Sequence, residues 1–322
     1  MTDRDDQFFG LTPDHVLQAV EALGFRTTGH IMALHCLENR VYDLKLEDQR
    51  HVVVKFYRPH RWSEAQIQEE HDFLFDLLEG EIPACAPVRD RTGRSVHQSG
   101  DIHFAIWPRT GGRCPDELSR EELEVLGRLL ARIHNSAEAR KMVARPWLTS
   151  MRFIDESVAL LEERGFLPPQ HASRFKEAAE TIGDIYDELS EGVPFHRIHG
   201  DCHLGNLLRG REGWFFLDFD DSLVGPAVQD LWLMIGDRGE VGDRRIDGFL
   251  EGYRQFRAFE PGWLRLVEPL RGLRMVSFTG WIARRWKDPA FPGVFPEFNS
   301  EAYWDSETRE LTEQMRRCEA AA

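Results

Sequence analysis

Cysteine is scarce, and the few present are badly spaced for anything that cysteines build. Cys36, Cys85, Cys114, Cys202 and Cys318 number five, an odd count, and none form a C-x-x-C pair, so neither a disulfide framework nor a zinc knuckle is indicated. Long apolar runs are missing too: nothing approaches the ~20 residues of a bilayer span, so no membrane partner is expected. The start, Met1-Thr2-Asp3-Arg4-Asp5-Asp6, is polar and acidic, unlike a secretory leader, and a cytoplasmic monomer is the expectation. Basic charge is in deficit, with a formal net charge of -15, which argues against nucleic acid as a partner because phosphates need a basic surface. Internal repeats and low-complexity segments are absent as well.

What is there suffices for two cores. A chain of 322 residues exceeds the size at which one core usually keeps growing, so two domains are expected. With 42% hydrophobic residues and a mean hydropathy of -0.45 it can bury a sizeable core and stay in solution.

The most informative segment is His199-Gly200-Asp201-Cys202-His203-Leu204-Gly205-Asn206, followed twelve residues later by Asp218 inside Trp214-Phe215-Phe216-Leu217-Asp218-Phe219-Asp220-Asp221. An aspartate and an asparagine five apart on a tight loop place a proton acceptor beside a metal ligand. A second aspartate at the end of an apolar strand supplies the carboxylate that Mg²⁺ bridging two phosphates requires. The pattern therefore reads as a phosphoryl-transfer site. Two other chemistries compete for the same residues. His199, Asp201 and His203 alternate, so on a strand they would share a face and could hold Zn²⁺, although Gly200 and Gly205 argue for a loop. The apolar approach to Asp218-Phe219-Asp220 also resembles an aspartyl-nucleophile phosphatase motif, though Asp221 stands where that motif has Thr or Val. A polar turn without chemistry is the plainest reading.

The N-terminal third adds weight. Val52-Val53-Val54-Lys55-Phe56 is a β-branched strand carrying one lysine, which must emerge into a cleft or pair with a charge. The next helix starts at Ser63 with Gln66 as a capping box and stops at Gly80. Ile67, Glu70, Leu74, Leu77 and Leu78 fall near one stripe, so Glu70 is the expected partner of Lys55, with Glu69, one step off the stripe, as the alternative. Ahead of Lys55 there is no G-x-G-x-x-G loop. Leu34-His35-Cys36-Leu37-Glu38-Asn39-Arg40-Val41-Tyr42 stands in its place, and a turn without glycine is expected to rely on Asn39 at positive φ and on N–H groups from Cys36 onward.

The remaining elements follow from punctuation. A helix opens at Thr12-Pro13 and closes at Gly24 with Leu17, Val20 and Leu23 inward, and strands are expected around 25 to 36, 40 to 46, 51 to 57, 86 to 89 and 102 to 107. Strand pattern gives way to loop after Trp107-Pro108, where Ser119 and Glu122 start a helical remainder. The fold class is thus α+β, two-lobed and protein-kinase-like. Residues 1–107 are an antiparallel-sheet N-lobe with an inserted helix, and residues 108–322 a mostly helical C-lobe with the catalytic loop and substrate groove. The backbone from Trp107 to Arg109 is the candidate for bonding adenine.

On His-Gly-Asp-x-x-x-x-Asn and the Asp-x-Asp strand end, the chain resembles the choline/aminoglycoside phosphotransferase superfamily of kinase-like folds. Narrower runs, Gly225-Pro226-Ala227-Val228-Gln229-Asp230-Leu231-Trp232 and Arg284-Arg285-Trp286-Lys287-Asp288-Pro289, make it most similar to a bacterial serine/threonine protein kinase branch linked to stress. The resemblance implies ATP and Mg²⁺, with Asp201 as catalytic base, Asn206 and Asp218 as metal ligands, Asp218 counted also among the catalytic residues, Lys55 on the phosphates and Cys36 in the phosphate loop, where the family tends to have serine. It implies a protein hydroxyl as acceptor, with a small hydroxylated metabolite (amino alcohol, sugar or amino acid) as the second reading and a pseudokinase scaffold as the third. Two further expectations concern side chains near these loops: Cys36 and Cys202 as oxidisable thiols, and Arg271, Arg274, Trp281, Arg284, Arg285 and Trp286 as a basic-aromatic acceptor groove.

Overall fold

The computed structural model of the chain describes residues 8–322, and the polar stretch read from Met1 to Asp6 lies outside them. Helix α1 (Pro13–Glu21) begins where the Thr12 hydroxyl accepts the His15 N–H at 3.3 Å, with proline at the first helical position. Its buried residues are Val16, Ala19 and Val20, while Leu17 and Leu23 sit at the margin of the same core. Strands β1 (Thr27–Leu34), β2 (Arg40–Leu46) and β3 (His51–Phe56) follow, then helix α2 (Glu64–Glu79), whose Ser63/Gln66 capping box is formed in full. With β4 (His97–Ser99) and β5 (Ile102–Pro108) they make one antiparallel sheet in the order β1-β2-β3-β5-β4.

Period-2 alternation splits this sheet chemically. Val52, Val54 and Phe56 turn to a core with Leu44, Leu46, Phe104, Val16 and Val20, which leaves His51, Val53 and Lys55 on the opposite face. The strand expected at 86 to 89 is not there. That stretch meets the sheet through one bond, Val88 N–H to Ile106 O at 2.7 Å, and the short strand is His97–Ser99 instead. Pro83 and Pro87 have no N–H for a ladder.

The rest is largely helical, as expected. Helix α3 (Arg120–Glu138) starts at the Ser119/Glu122 capping box, and α4 (Glu156–Glu163) and α5 (Pro169–Ser190) follow. Four short strands come next: β6 (Phe195–Ile198), β7 (Leu207–Gly210), β8 (Gly213–Phe216) and β9 (Leu223–Pro226). β6 pairs with β9 and β7 with β8. Helices α6 (Val228–Ile235), α7 (Gly239–Tyr253), α8 (Val267–Arg285), α9 (Ala290–Val294) and α10 (Glu301–Ala321) complete the described chain. None of the helices among the described residues is long and apolar enough to cross a membrane.

Two compact units result, each assembled from separate stretches of sequence. The first gathers the described part of Met1–Arg145 with His199–Ser222 and Asp247–Arg257; the second gathers Pro146–Ile198, Leu223–Ile246 and Ala258–Ala322. Within the second, α5, α8 and α10 pack together, and the side chains expected to form an acceptor groove are largely spent on packing. Arg271 donates to the carbonyls of Gly236 and Asp237, Arg285 lies over Trp281, and Trp286 meets Phe166 and Phe298 edge-on or tilted. Within the first unit, α3 approaches the end of α7 at two glycines. A Cβ at Gly127 would lie 2.1 Å from Phe249 O, and one at Gly252 would lie 2.0 Å from Glu124 O. The buried His134–Tyr253 hydrogen bond at 2.8 Å closes the same contact.

Backbone cannot retreat as a flexible side chain can, so Gly127→Ala is expected to lower stability by about 3 kcal/mol. Gly111, with open space where a Cβ would be, serves as the control. Its alanine variant should stay within about 0.5 kcal/mol of wild type in urea melts.

Candidate active site

The loop from His199 to Asn206 is built around its histidines and glycines. Gly200 takes φ 85°, which turns the chain sharply after β6. His199 is fully buried: its Nδ1 accepts the Asp201 N–H at 3.3 Å, so Nε2 carries the proton and donates to Leu217 O at 2.7 Å. One imidazole thus ties Asp201 to the strand end that precedes Asp218. Backbone completes the tie, because Leu217 N–H donates to Asn206 O at 2.8 Å just beyond the β7–β8 hairpin. That hairpin is pinned in turn by reciprocal bonds between Arg113 and Arg209. The Asn206 amide nitrogen donates to Asp201 O at 2.9 Å and approaches Asp201 Oδ2 at 3.5 Å.

Asp218 then takes left-handed backbone, φ 56° and ψ 70°, a conformation aspartate tolerates better than most residues. Its side chain is 46% exposed and one carboxylate oxygen lies 3.3 Å from Lys55 Nζ. Lys55 also donates to Glu70 at 3.1 Å and lies 3.7 Å from Asp220. The lysine therefore pairs with Glu70 and not Glu69. Glu69 is engaged elsewhere, where its carboxylate accepts the N–H groups of Val143, Ala144 and Arg145 at 2.6 to 3.0 Å. This holds Arg145, itself buried, so that its guanidinium reaches Glu70 at 3.1 Å and Asp220 O at 2.6 Å.

Asp220, 2% exposed, is the centre of the charge cluster. Arg61 binds it directly, Asn39 Nδ2 donates to it at 2.9 Å, and Lys55 faces its other oxygen. Burial alone would raise its pKa, but Arg61, Lys55 and Arg145 hold it well below the usual carboxylate range. For Lys55, burial works against the charge, and Asp220 and Glu70 outweigh it and hold the pKa well above that of ordinary lysine. His71, buried beside this cluster between Tyr57 and Ser95, is pushed well below its usual pKa by burial first and then by Lys55 and Arg145.

The glycine-free turn is held differently from the sequence expectation. Asn39 is buried and absent from the positive-φ residues; its side chain accepts Arg58 N–H at 3.1 Å while donating to Asp220. Arg58 itself binds the carbonyls of Glu38 at 2.9 Å and Leu37 at 2.8 Å. Cys36 accepts the Asn39 N–H at 3.4 Å, which removes that N–H from any ligand. Burial pushes the Cys36 thiol up, and Cys202 is wholly buried, so the oxidisable thiolates expected at these positions are not supported. At the end of β5, Trp107 is in register with Val53, Arg109 N–H bonds His51 O at 3.2 Å, and Pro108 has no N–H. The ladder therefore takes the donors of this stretch, and of the 107–109 backbone expected to meet adenine the Pro108 carbonyl is outside it. The Trp107 ring lies 5.0 Å from Lys55 Nζ.

Sequence reasoning missed Arg61, Arg145 and the role of Asp220. The Asp-x-Asp spacing was a usable signal for Asp220, whereas neither arginine sits in any local pattern. No group of three or more His, Cys, Asp or Glu among the described residues is placed to hold a metal ion. Mg²⁺ keeps waters and substrate phosphates and needs only one or two protein oxygens. Asp218, half exposed, and the oxygen of Asn206, whose amide nitrogen is already engaged, match that requirement.

A family model described as a phosphotransferase enzyme family matches residues 35–267. The chain belongs to that family. Among relatives of this phosphotransferase, stress response kinase A of Escherichia coli K12 is 37% identical over 311 residues, covering 96% of this chain and 94% of the relative. A serine/threonine protein kinase of Salmonella typhimurium named RdoA is 36% identical over 318 residues, covering 98% and 96%. Solved structures agree on the α+β phosphotransferase fold: an amicoumacin kinase in complex with AMP-PNP and Ca²⁺ at TM-score 0.72 and 18% identity, covering 94% of this chain and 93% of that one, and a microcompartment-associated aminopropanol kinase at 0.67 and 19%, covering 92% and 99%.

Asp220→Asn is expected to leave Lys55 and Arg61 buried beside a neutral group and to lower stability by about 3 to 5 kcal/mol. Because the folded pKa of Asp220 is depressed, its contribution is complete above an unfolded pKa of about 4 and is lost as pH falls further. Denaturant melts of the variant and wild type should therefore differ most at neutral pH and begin to approach each other only as pH falls below about 4 toward the depressed folded pKa.

Proposed function

We propose that this phosphotransferase carries the γ-phosphoryl group of ATP, with Mg²⁺, to serine or threonine hydroxyls of a protein, as a cytoplasmic monomer acting in stress response. What carries the reading is the joint arrangement of Lys55 with Glu70 and Asp218 and of Asp201 with Asn206, all in one compact unit. Identity of 36% to a relative named serine/threonine protein kinase RdoA supports the choice of acceptor, and identity of 35 to 37% to proteins named stress response kinase A supports the role in stress. In this reading residues 1–107 form the nucleotide-binding lobe and residues 108–322 the catalytic loop and acceptor groove.

Roles follow from the chemistry of each group. Asp201 orients the incoming hydroxyl and accepts its proton. Lys55, kept charged by Glu70 and Asp220, binds phosphate oxygens, and Arg145 keeps Glu70 in place. Asn206 and Asp218 hold Mg²⁺, which when bound offsets charge on the β- and γ-phosphate oxygens. The 36–39 turn covers the phosphates from a preformed position, with Cys36 and Asn39 shaping it, while the Trp107 ring flanks Lys55 and the Pro108 carbonyl is left for the base.

Asp201→Asn and Asp218→Ala are both expected to reduce transfer by at least a thousandfold while the thermal melt stays near wild type. Only Asp218→Ala should also weaken Mg²⁺-nucleotide binding by tenfold or more, read by titration calorimetry. Acceptor class is read by incubating the wild type with γ-labelled ATP and Mg²⁺, alone, with a histone fraction, and with amino alcohols, sugars and amino acids. Label on protein and on no metabolite supports the protein-kinase reading. Label on a metabolite moves the acceptor to a small molecule, and no label anywhere leaves a nucleotide-binding scaffold.

A further inference from the structure

One carboxylate holds a stretch of chain that has no regular structure. Val143, Ala144 and Arg145 present three consecutive N–H groups, and all three donate to Glu69 on α2, at 2.6, 2.9 and 2.7 Å. Such a run of amides is a concave anion site, filled here by the chain's own side chain. Gln66, on the preceding turn of α2, adds two bonds: its side-chain nitrogen donates to Ala144 O at 2.9 Å, and its carbonyl accepts Arg145 Nε at 2.7 Å. Val143 is 89% exposed, so these bonds and not its burial dock it. What they deliver is the Arg145 guanidinium. Nη2 donates to Glu70 at 3.1 Å, while Nη1 donates to Asp220 O at 2.6 Å and more distantly to Ser222 O at 3.4 Å. Those carbonyls belong to the turn Phe219–Asp221 and the residue that ends it, directly after Asp218. The side chains of Asp220 and Asp221 are held by Arg61, but Arg145 holds the main chain. Bonds at Leu217 hold the chain on the other side of Asp218. The left-handed residue thus stands between two main-chain anchors, and the second reaches α2 through Arg145.

We propose that Arg145 is a positioning residue for Asp218 and that Glu69 acts through it, so that α2 sets the metal carboxylate as well as the lysine. The inference rests on Asp218 being the Mg²⁺ ligand of the phosphotransferase read above. Through Glu70 alone, Arg145 would act on Lys55, and so on the phosphates with or without metal. Through the Asp220 carbonyl it acts on where the Asp218 carboxylate stands. The two routes therefore part in the metal dependence of nucleotide binding. Lysine at 145 would keep a charge for Glu70, but it lacks the planar fork whose three nitrogens meet Gln66 O, Glu70 and Asp220 O together.

The test titrates the full chain with AMP-PNP by calorimetry, once with Mg²⁺ and once with chelator, and reads the ratio of the two Kd values. Asp218→Ala marks the ratio that remains when the metal carboxylate is gone. Arg145→Lys and Glu69→Ala are each expected to lower the wild-type ratio by about fivefold or more while the metal-free Kd stays within about twofold. Together they should cost no more than Arg145→Lys alone, because Glu69 acts through Arg145. Glu69→Gln keeps one acceptor oxygen and lies outside the buried charge cluster, so it should lower the ratio less and leave the thermal melt near wild type. Equal weakening with and without metal would overturn the proposal in favour of an effect through Glu70 and Lys55 alone. A lowered melt with an unchanged ratio would overturn it in favour of packing. Wild-type ratios in both Glu69 variants would remove Glu69 from it. Wild type that binds AMP-PNP no more tightly with Mg²⁺ than without would instead remove the Mg²⁺ role of Asp218, and with it the reading on which the proposal stands.

Discussion

A lysine in the middle of a strand, 8% exposed, is tolerable only if carboxylates meet it, and the first compact unit is organised around that requirement. Lys55 is met by Glu70 from α2 and by Asp218 and Asp220 from the segment after β8, so the charge draws together parts of the chain separated by 15 and 163 residues. The excess carboxylate is then matched by Arg61 and Arg145. Asp218 apart, each group is paired more than once, which is why the cluster can be buried: removal of a buried member leaves a charge with reduced compensation, and partial formation is worse than none. The cost of ordering so many side chains is accepted where an apolar core would have been simpler, and the phosphate-binding chemistry proposed for Lys55 gives a reason.

The same cluster explains how the turn proposed to cover the phosphates can do without glycine. Glycine-rich loops gain close approach from missing side chains at the expense of order. Here the 35–39 turn is ordered from outside: Arg58 binds two of its carbonyls, Asn39 is clamped between Arg58 N–H and Asp220, and Arg61 reaches both Asp220 and Glu38. The turn is therefore fixed by the residues that fix Asp220, and the position of one depends on the other.

Legibility in the sequence followed the range of the interaction. Capping boxes at Ser63 and Ser119, the stripe that placed Glu70 opposite Lys55, and the strands at 40–46 and 51–56 are local patterns, and the fold carries them nearly unchanged. Glu69 was weighed only as a rival for Lys55, yet its neighbours are three N–H groups contributed by residues 74 to 76 positions away. Nothing periodic announces such a nest. Arg61 and Arg145 lie in irregular segments, where an arginine by itself reads as solvated surface. The strand at 86–89 was misread because hydrophobic composition was weighed without the missing proline donors, and burial of the Cys36 and Cys202 thiols is supplied only by tertiary structure.

One main-chain bond and one buried imidazole set the geometry between the two proposed chemical groups. Asn206 O accepts Leu217 N–H, and His199 bridges Asp201 N–H to Leu217 O, so Asp201, Asn206 and Asp218 are referenced to one peptide unit at Leu217. Left-handed backbone at Asp218 then turns its carboxylate away from the strand direction and beside Lys55. Asp218 is half exposed beside Lys55, and its spacing from Asp201 is held by the Asn206–Leu217 main-chain bond together with the His199 imidazole. The spacing of His199, Asp201, Asn206 and Asp218 along the chain was for that reason the most reliable signal the sequence contained.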